Sequence, residues 1–429
     1  MIRPSKIFFF LGLTALLTLT GLRCTRGTPP EIEKANRPVT LTWWRVFDDE
    51  SAVRPIIEAY RGNHPNVTIQ YRKLRFEEYE RELLNALAED RGPDIISLHN
   101  TWVRAWLPKI TPLPAEITLP FQELRGTLKK EVVTSLKTTP TLSSRGLKSL
   151  FVDTVAADVL ISERDEQGGV KENIWGLPLA LDTLVLYANR DLLNIAGVPE
   201  VPKTWDDLQA VTSRLTKIND RNEPIQSAVA LGTSKNIDRG ADILALLMMQ
   251  NGTEMIDAAG RAAFQRIPQA LQGISTPPGE QALSFYADFA NPNKESYTWS
   301  ARQPNSFEAF VSGRVALFFG YGYHLPLLRA RAPRMNLEIS RMPQIEGNPE
   351  INFANYWIEA VSKKSPNTEW AWDFLQFATK ENQVKPYLEA VKKPTALRAL
   401  VAQQLSDEDI GTFAEQLLTA KTWYRGLSA

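Results

Sequence analysis

Between Val39 and Leu98 the hydrophobic period changes from two residues to 3.6 and back, twice, and this alternation constrains the fold more than any other feature of the chain. In Val39–Trp44 the residues Val39, Leu41 and Trp43 alternate, as on a half-buried strand. Ser51–Gly62 places Val53, Ile56, Ile57 and Tyr60 on one helical face. Asn66–Tyr71 reads as a second strand, and Phe76–Ala88 as a helix with Tyr79, Leu83, Leu84 and Leu87 on one side. Gly92-Pro93 stops that helix. Asp94–Leu98 is then a continuous apolar run, the pattern of a strand covered on both faces. A β-α-β-α-β order implies a parallel sheet with crossover helices.

The chain has 429 residues, too many for one hydrophobic core, so a second α/β lobe is expected. Apolar residues make up 43% and charged residues 23%, a soluble, globular balance. No short fixed repeat appears, which excludes solenoids and propellers. The run IWGLPLALDTLVLYANRDLLNIAGVPEVPKTWDDL, from Ile174 to Leu208, reads as the crossing between lobes. It combines a Gly-Leu-Pro turn, a buried strand with a single acid (Asp182), an exit at Tyr187 and Asn189, and a helix opened by a capping box of Thr204 and Asp207. Further helices are expected near Phe121–Leu136, Leu147–Val159, Gly240–Met249, Ser306–Ser312, Glu369–Thr379 and Asp409–Ala420. Strands are expected at Ser227–Leu231 and Val315–Phe319.

The N-terminus points out of the cytoplasm. Arg3 and Lys6 precede the apolar stretch Ile7–Leu22, which is shorter than the ~20 residues of a spanning helix. Cys24, the single cysteine, follows it and can form neither an internal disulfide nor a clustered metal site. Its position resembles that of the lipid-modified cysteine of bacterial lipoproteins. Arg23 stands where a small residue is usual, so an uncleaved anchor and an unmodified linker cysteine remain alternatives. Residues 1–23 are thus a signal peptide or anchor, and 24–37 a polar tether. The remaining body is slightly acidic, which gives no electrostatic case for nucleic acid.

Motifs for chemistry are missing. His64, His99 and His324 are far apart in sequence, without metal-ligand spacing. There is no phosphate-binding glycine loop, dinucleotide fingerprint, zinc-protease helix or nucleophile elbow. No catalytic residue, cofactor or metal is therefore expected. The chain offers instead 11 tryptophans, several beside strand ends: Trp43, Trp44, Trp102, Trp299, Trp357 and Trp423. Aromatic faces stack on sugar C–H faces, although tryptophan is more often partly buried core.

Five segments carry a resemblance: VTLTWWRVFDDESAVRPIIEAYRGNHPNVTI, GPDIISLHNTW, the Ile174–Leu208 run, AFVSGRVALFFGYGYH and NYWIEAVSKKSPNTEWAWDFLQFAT. In this order the chain resembles the extracellular solute-binding proteins of ABC importers, in the branch of sugar binders that includes maltose-binding protein. The resemblance implies a two-lobe α/β type II periplasmic-binding fold with the ligand cleft between lobes. It puts 38–182 plus 352–399 in lobe one and 183–351 plus 400–429 in lobe two. The implied ligand contacts are Trp44 and Arg45 after the first strand, Asn100 and Thr101 after the third, Asp182 at the crossing, Trp299 in a long loop, Gly320 and Tyr321 in a close-approach turn, and Tyr356 and Trp357 on re-entry. Asp182 serves either ligand or hinge. Of Tyr356 and Trp357, strand alternation turns one inward and one toward the cleft. The implied function is capture of an oligosaccharide by a monomer through hinge closure and its delivery to an ABC permease, without catalysis. A non-sugar solute, a surface carbohydrate-acting enzyme, and a sensor or adhesin on the same fold are the alternatives.

Overall fold

The computed structural model describes residues 32, 35–126, 131–164, 168–424 and 426. Its opening follows the alternating pattern: β1 (Val39–Val46), α1 (Glu50–Asn63), β2 (Val67–Leu74), α2 (Phe76–Ala88) and β3 (Ile95–His99). Both β2 and β3 run parallel to β1, which lies between them. Tyr79 of α2 ties the helix to the sheet, because its hydroxyl donates to the carbonyl of Ser97 at 2.7 Å. A helical turn, Val103–Trp106, then leads to the short β4 (Ile110–Thr111).

The stretch expected as a helix over Phe121–Leu136 is a two-stranded ribbon, β5 (Glu116–Arg125) and β6 (Glu131–Pro140). The β-branched run Val132-Val133-Thr134 favours a strand, and Gly126 adopts a φ of 108° that few other residues tolerate. Thr118 and Thr138 share a cross-strand hydrogen bond of 2.8 Å. The helix expected over Leu147–Val159 is two helices, α3 (Ser144–Leu150) and α4 (Asp153–Val159). Phe151 and Val152 leave helical geometry because Phe151 bridges to Leu397 and the Val152 N–H bonds the Ala396 carbonyl at 3.0 Å. A hairpin of β7 (Leu160–Arg164) and β8 (Val170–Ile174) follows.

Gly176 then passes against the first sheet. A Cβ there would lie 2.2 Å from Ile358 Cγ2 and 3.0 Å from the Glu359 carbonyl. Only glycine lets Leu177 and Glu359 exchange both backbone hydrogen bonds, each 3.0 Å. The chain continues as β9 (Asp182–Thr183), β10 (Val185–Asn189) and α5 (Arg190–Ile195). The expected capping box is present: Thr204 and Asp207 bond reciprocally at the start of α6 (Trp205–Leu215).

A second five-stranded sheet comes from β11 (Lys217–Ile218), β12 (Pro224–Val229), β13 (Val315–Gly320) and, after the intervening helices, β14 (Leu337–Ser340). Its order is β11-β12-β13-β10-β14. Every residue of β10 and β13 is buried, so this sheet too is covered on both faces. The covering helices include α7 (Gly240–Gln250), α8 (Pro278–Asp288), α9 (Ser306–Val311) and α10 (His324–Arg331). Trp205 donates to Gln250 at 2.6 Å, and Gln250 donates to the Ile351 carbonyl at 2.9 Å, satisfying a polar group inside the core.

The chain returns through β15 (Asn352–Asn355) into β16 (Trp357–Ser362), which completes the first sheet in the order β2-β1-β3-β16-β4. Helices α11 (Thr368–Ala378), α12 (Glu381–Val391) and α13 (Arg398–Gln404) follow. The terminal helix expected over Asp409–Ala420 is only α14 (Gly411–Glu415). Its continuation is diverted because Ala420 and Lys421 form β17 alongside β15. A small third sheet, β17-β15-β9, therefore sits where segments of the two large sheets meet.

Candidate ligand-binding site

The carboxyl ends of β1 and β3, where open α/β sheets hold ligands, meet the start of β16. Trp357 lies opposite His99 across the antiparallel β3–β16 pair. Five rings stand edge-on to its indole: Phe47 at 5.8 Å, Phe76 at 6.2 Å, Tyr79 at 6.0 Å, His99 at 5.6 Å and Trp102 at 5.5 Å. Phe47 and Phe76 are 53% and 50% exposed, so this is an open aromatic platform rather than core. Phe47 takes a left-handed φ of 69°, a costly backbone state that turns its ring over Phe76. His99 is pinned at both nitrogens, by Asn355 Oδ1 at 2.6 Å and Thr101 Oγ1 at 2.7 Å. Burial pushes its pKa down to about 4 despite the Asn355 bond, so at neutral pH it is an uncharged ring.

A polar group from the second sheet comes near this platform. Beyond β13, Tyr321 donates its hydroxyl to Asp242 Oδ2 at 2.7 Å, and Tyr323 stacks on Tyr321 at 6.0 Å with half its surface exposed. Arg239, at the head of α7, pairs with the same carboxylate at 2.6 Å and lies over the Tyr321 ring. Burial works against the Arg239 charge, but Asp242 together with Tyr321 and Tyr323 outweighs it and keeps the guanidinium protonated. Arg239 and Asp242 act in opposite senses on the His99 charge, the guanidinium disfavouring it and the carboxylate favouring it. Apolar rings on one side and a fork of donors and acceptors on the other can hold a molecule with C–H faces and many hydroxyls.

Asp182 lies in β9, paired with Asn355. Its carboxylate accepts the backbone N–H of Thr183 and of Gly322, each at 2.8 Å. These bonds tie the crossing to the Tyr321–Tyr323 turn. Burial raises its pKa to about 7, against the pull of the Gly322 and Thr183 N–H groups. A carboxyl whose folded pKa is raised binds more protons folded than unfolded, so stability falls as pH rises between its unfolded and folded pKa values, from about 4 to about 7. Urea unfolding of the wild type and Asp182→Asn at pH 5 and pH 8 tests this. The wild type should lose stability relative to the variant at the higher pH, whereas parallel behaviour would remove the assignment.

Several expected ligand residues lie elsewhere. Arg45 is buried in an ionic cluster: its Nε lies 2.9 Å from Glu359 Oε1 and its Nη2 lies 3.3 Å from Asp48 Oδ2. Tyr387 donates to Asp48 at 2.8 Å, and Lys393 pairs with Asp48 at 2.6 Å. Arg45, expected to contact ligand, is therefore held as a buried structural ion. Trp44 lies under the guanidinium of Arg72, its neighbour on β2, 4.5 Å from the ring centre. Trp299 is wholly buried in the core of the second sheet, with its indole N–H on Asn236 at 3.3 Å, so it is closed to ligand. Tyr356, between β15 and β16, points inward and donates to Asp158 at 2.6 Å, while Trp357 at the start of β16 stands in the platform. Asn100 is buried beside Asp158, and Thr101 serves to orient His99. Gly320 is buried where a Cβ would press on Phe318 and on His324 Nδ1 at 2.8 Å. Tyr321 joins the polar group, although its ring is buried. Cys24 lies outside the described residues.

Phe47, Phe76, His99, Arg239, Asp242 and Tyr323, which form the platform and the polar group, were not singled out from the sequence. A signal existed for Phe47 and His99, since Phe47 follows β1 and His99 ends β3, both at the carboxyl edge of parallel strands. No local signal marks Arg239 or Asp242, which open an almost wholly apolar helix.

Comparison with known proteins identifies the fold and the family. The family of bacterial extracellular solute-binding proteins matches residues 46–385. A putative binding protein of Brucella abortus (strain 2308) is 23% identical over 210 residues, which are 47% of this chain and 46% of that protein. The match thus spans about half the length of such curated relatives. Among solved structures, the cyclic alpha-maltosyl-1,6-maltose binding protein of Arthrobacter globiformis superposes with a TM-score of 0.67 at 17% identity, covering 90% of this chain and 88% of that one. A cyclo/maltodextrin-binding protein complexed with maltotetraose gives 0.65 at 14% identity, covering 90% and 86%. The sugar-binding protein MalE of Xanthomonas citri gives 0.63 at 17% identity, covering 89% and 86%. These likenesses show the two-lobe α/β periplasmic-binding fold, and the family match identifies the chain as a member of the bacterial extracellular solute-binding proteins.

Proposed function

We propose that this protein is the carbohydrate-capturing component of an ABC importer, and that its ligand is an oligosaccharide held between the Trp357 platform and the Arg239–Asp242–Tyr321–Tyr323 group. The observation that carries the proposal is the open cluster of rings at the carboxyl edge of the first sheet. Such a surface is costly to expose unless it serves a partner, and sugar rings offer matching apolar faces. The solved relatives whose descriptions name maltotetraose and cyclic maltosyl-maltose support the ligand class.

On this reading lobe one comprises 38–182 and 352–399, and lobe two 183–351 and 400–429. Strands β9, β15 and β17 form the hinge, and Asp182 is a hinge residue that also faces the ligand. Ligand bridging both lobes draws the hinge equilibrium toward the closed form, to the extent that it binds that form more tightly. The closed monomer then docks on a membrane permease. Lipid on Cys24, or an uncleaved N-terminal helix, keeps it at the outer face of the membrane. No catalytic step is part of this cycle.

Isothermal titration of the full-length protein against malto-oligosaccharides, other oligosaccharides, oligopeptides and polyamines tests the reading. A carbohydrate should bind at micromolar concentration and be recovered chemically unchanged. Binding confined to peptides or polyamines would overturn the ligand class, and turnover of the sugar would favour an enzyme.

A further inference from the structure

Among the described residues, Phe47 is the only aromatic one with a left-handed backbone, at φ 69°. In that state a Cβ crowds the neighbouring carbonyl oxygen, so a bulky residue adopts it only where the surrounding structure forces it. The turn is a γ-turn centred on Phe47, closed by the Asp48 N–H on the Val46 carbonyl at 2.9 Å.

The force comes through Asp48, which is buried. Its carbonyl accepts the hydroxyl of Tyr71, from β2, at 2.6 Å. Its carboxylate accepts the hydroxyl of Tyr387, from α12, at 2.8 Å, and the ammonium of Lys393 at 2.6 Å. Arg45 Nη2, on β1, adds the ionic contact at 3.3 Å. Lys392 ends α12 in a left-handed φ of 51°, and Lys393 follows it directly. Main chain and side chain of Asp48 are thus held from β1, β2 and the end of α12. Phe47 cannot relax to a negative φ without disturbing these bonds.

The strained residue is a ring of the platform, stacked on Phe76 at 5.9 Å and edge-on to Trp357 at 5.8 Å. More than half of it is exposed, so its own burial does little to offset the strain. Fixing the ring before a ligand arrives does, because an ordered side chain loses less freedom on binding.

We propose that Asp48 is a positioning residue for ligand capture: clamped by Tyr71, Tyr387 and Lys393, it locks the γ-turn that sets the face of Phe47 against the bound molecule. The ligand is the carbohydrate proposed above, so the inference rests on that reading. The ionic cluster around Arg45 then acts on affinity through the shape of the turn.

The test uses full-length protein in which phenylalanine is replaced by 4-fluorophenylalanine, the Phe47 19F signal being identified by its loss in Phe47→Leu. In Asp48→Asn that signal should move toward the position of a freely exposed ring. It should do so equally in Lys393→Met, where the side chain removed is only partly buried. The signal is read without sugar, so the clamp is decided separately from the carbohydrate reading. By calorimetry, Asp48→Asn should weaken sugar binding about tenfold, yet change Kd by less than about twofold in a Phe47→Ala background. A Phe47 signal unmoved in both variants would overturn the proposal. So would an equal loss of affinity with and without the Phe47 ring, because Asp48 would then act on the sugar by another route.

Discussion

Trp357→Ala should abolish most carbohydrate affinity, costing about 2–4 kcal/mol, or roughly 30- to 1,000-fold in Kd. The reason is position. Trp357 is the one ring that contacts all five others of the platform, from 5.5 to 6.2 Å. Removing it deletes a stacking face and also frees Phe47, Phe76 and Trp102 to reorient. Trp44→Ala is the control. Trp44 is half-buried beneath Arg72 on the flank of the sheet, and its loss should leave Kd within about twofold. Calorimetry on both variants, with circular dichroism to confirm folding, separates a binding role from a structural one. Equal losses in the two would place the ligand elsewhere.

The second large effect lies beneath the platform. Glu359 shares a face of β16 with Trp357, is fully buried, and accepts the indole N–H of Trp43 and the hydroxyl of Ser97, each at 2.7 Å. It is also the counter-ion of Arg45. Glu359→Ala would leave Arg45 charged in a closed interior with Asp48 as its remaining ionic partner. Removing one member of a buried pair typically costs about 3–5 kcal/mol, because the other charge stays desolvated. Guanidinium unfolding should show a loss of that size, and Glu359→Gln, which keeps an acceptor for Trp43, should lose less. The same cluster sets an acid limit. Burial alone would raise the pKa of Asp48, but Arg45 and Lys393 outweigh it and hold it below the ordinary carboxylate value. Its contribution is therefore present above the unfolded pKa of about 4 and lost as pH falls through the lower folded value.

Local pattern carried much of the architecture. The change of hydrophobic period over Val39–Leu98 specified three strands and two helices, and the Thr204–Asp207 box marked the start of α6, because both depend on residues close in sequence. The ribbon of β5 and β6 was misread because Phe121, Leu124 and Leu136 imitate a helical stripe while the β-branched run favours a strand. The helix break at Phe151 comes from pairing with Leu397, which no local window contains. The site shows the same division. The pair Tyr356-Trp357 was expected to split between core and cleft, and Tyr356 is buried while Trp357 is partly exposed. The burial of Arg45 was not legible, because its partner Glu359 lies in a segment that returns to the first sheet far along the chain. Asp182, expected to serve ligand or hinge, is placed by its hydrogen bonds at the crossing. It bonds backbone on both sides of the crossing, and it stands beside the tyrosines of the polar group.

The central claim is that a carbohydrate closes the two lobes by bridging the Trp357 platform and the Arg239–Asp242–Tyr321 group. Small-angle X-ray scattering of the full-length protein, with and without the sugar selected by calorimetry, tests it most directly. The account predicts a smaller radius of gyration at saturation in the wild type, and no change in Trp357→Ala at the same sugar concentration. An unchanged radius in wild-type protein shown by calorimetry to be saturated would contradict it.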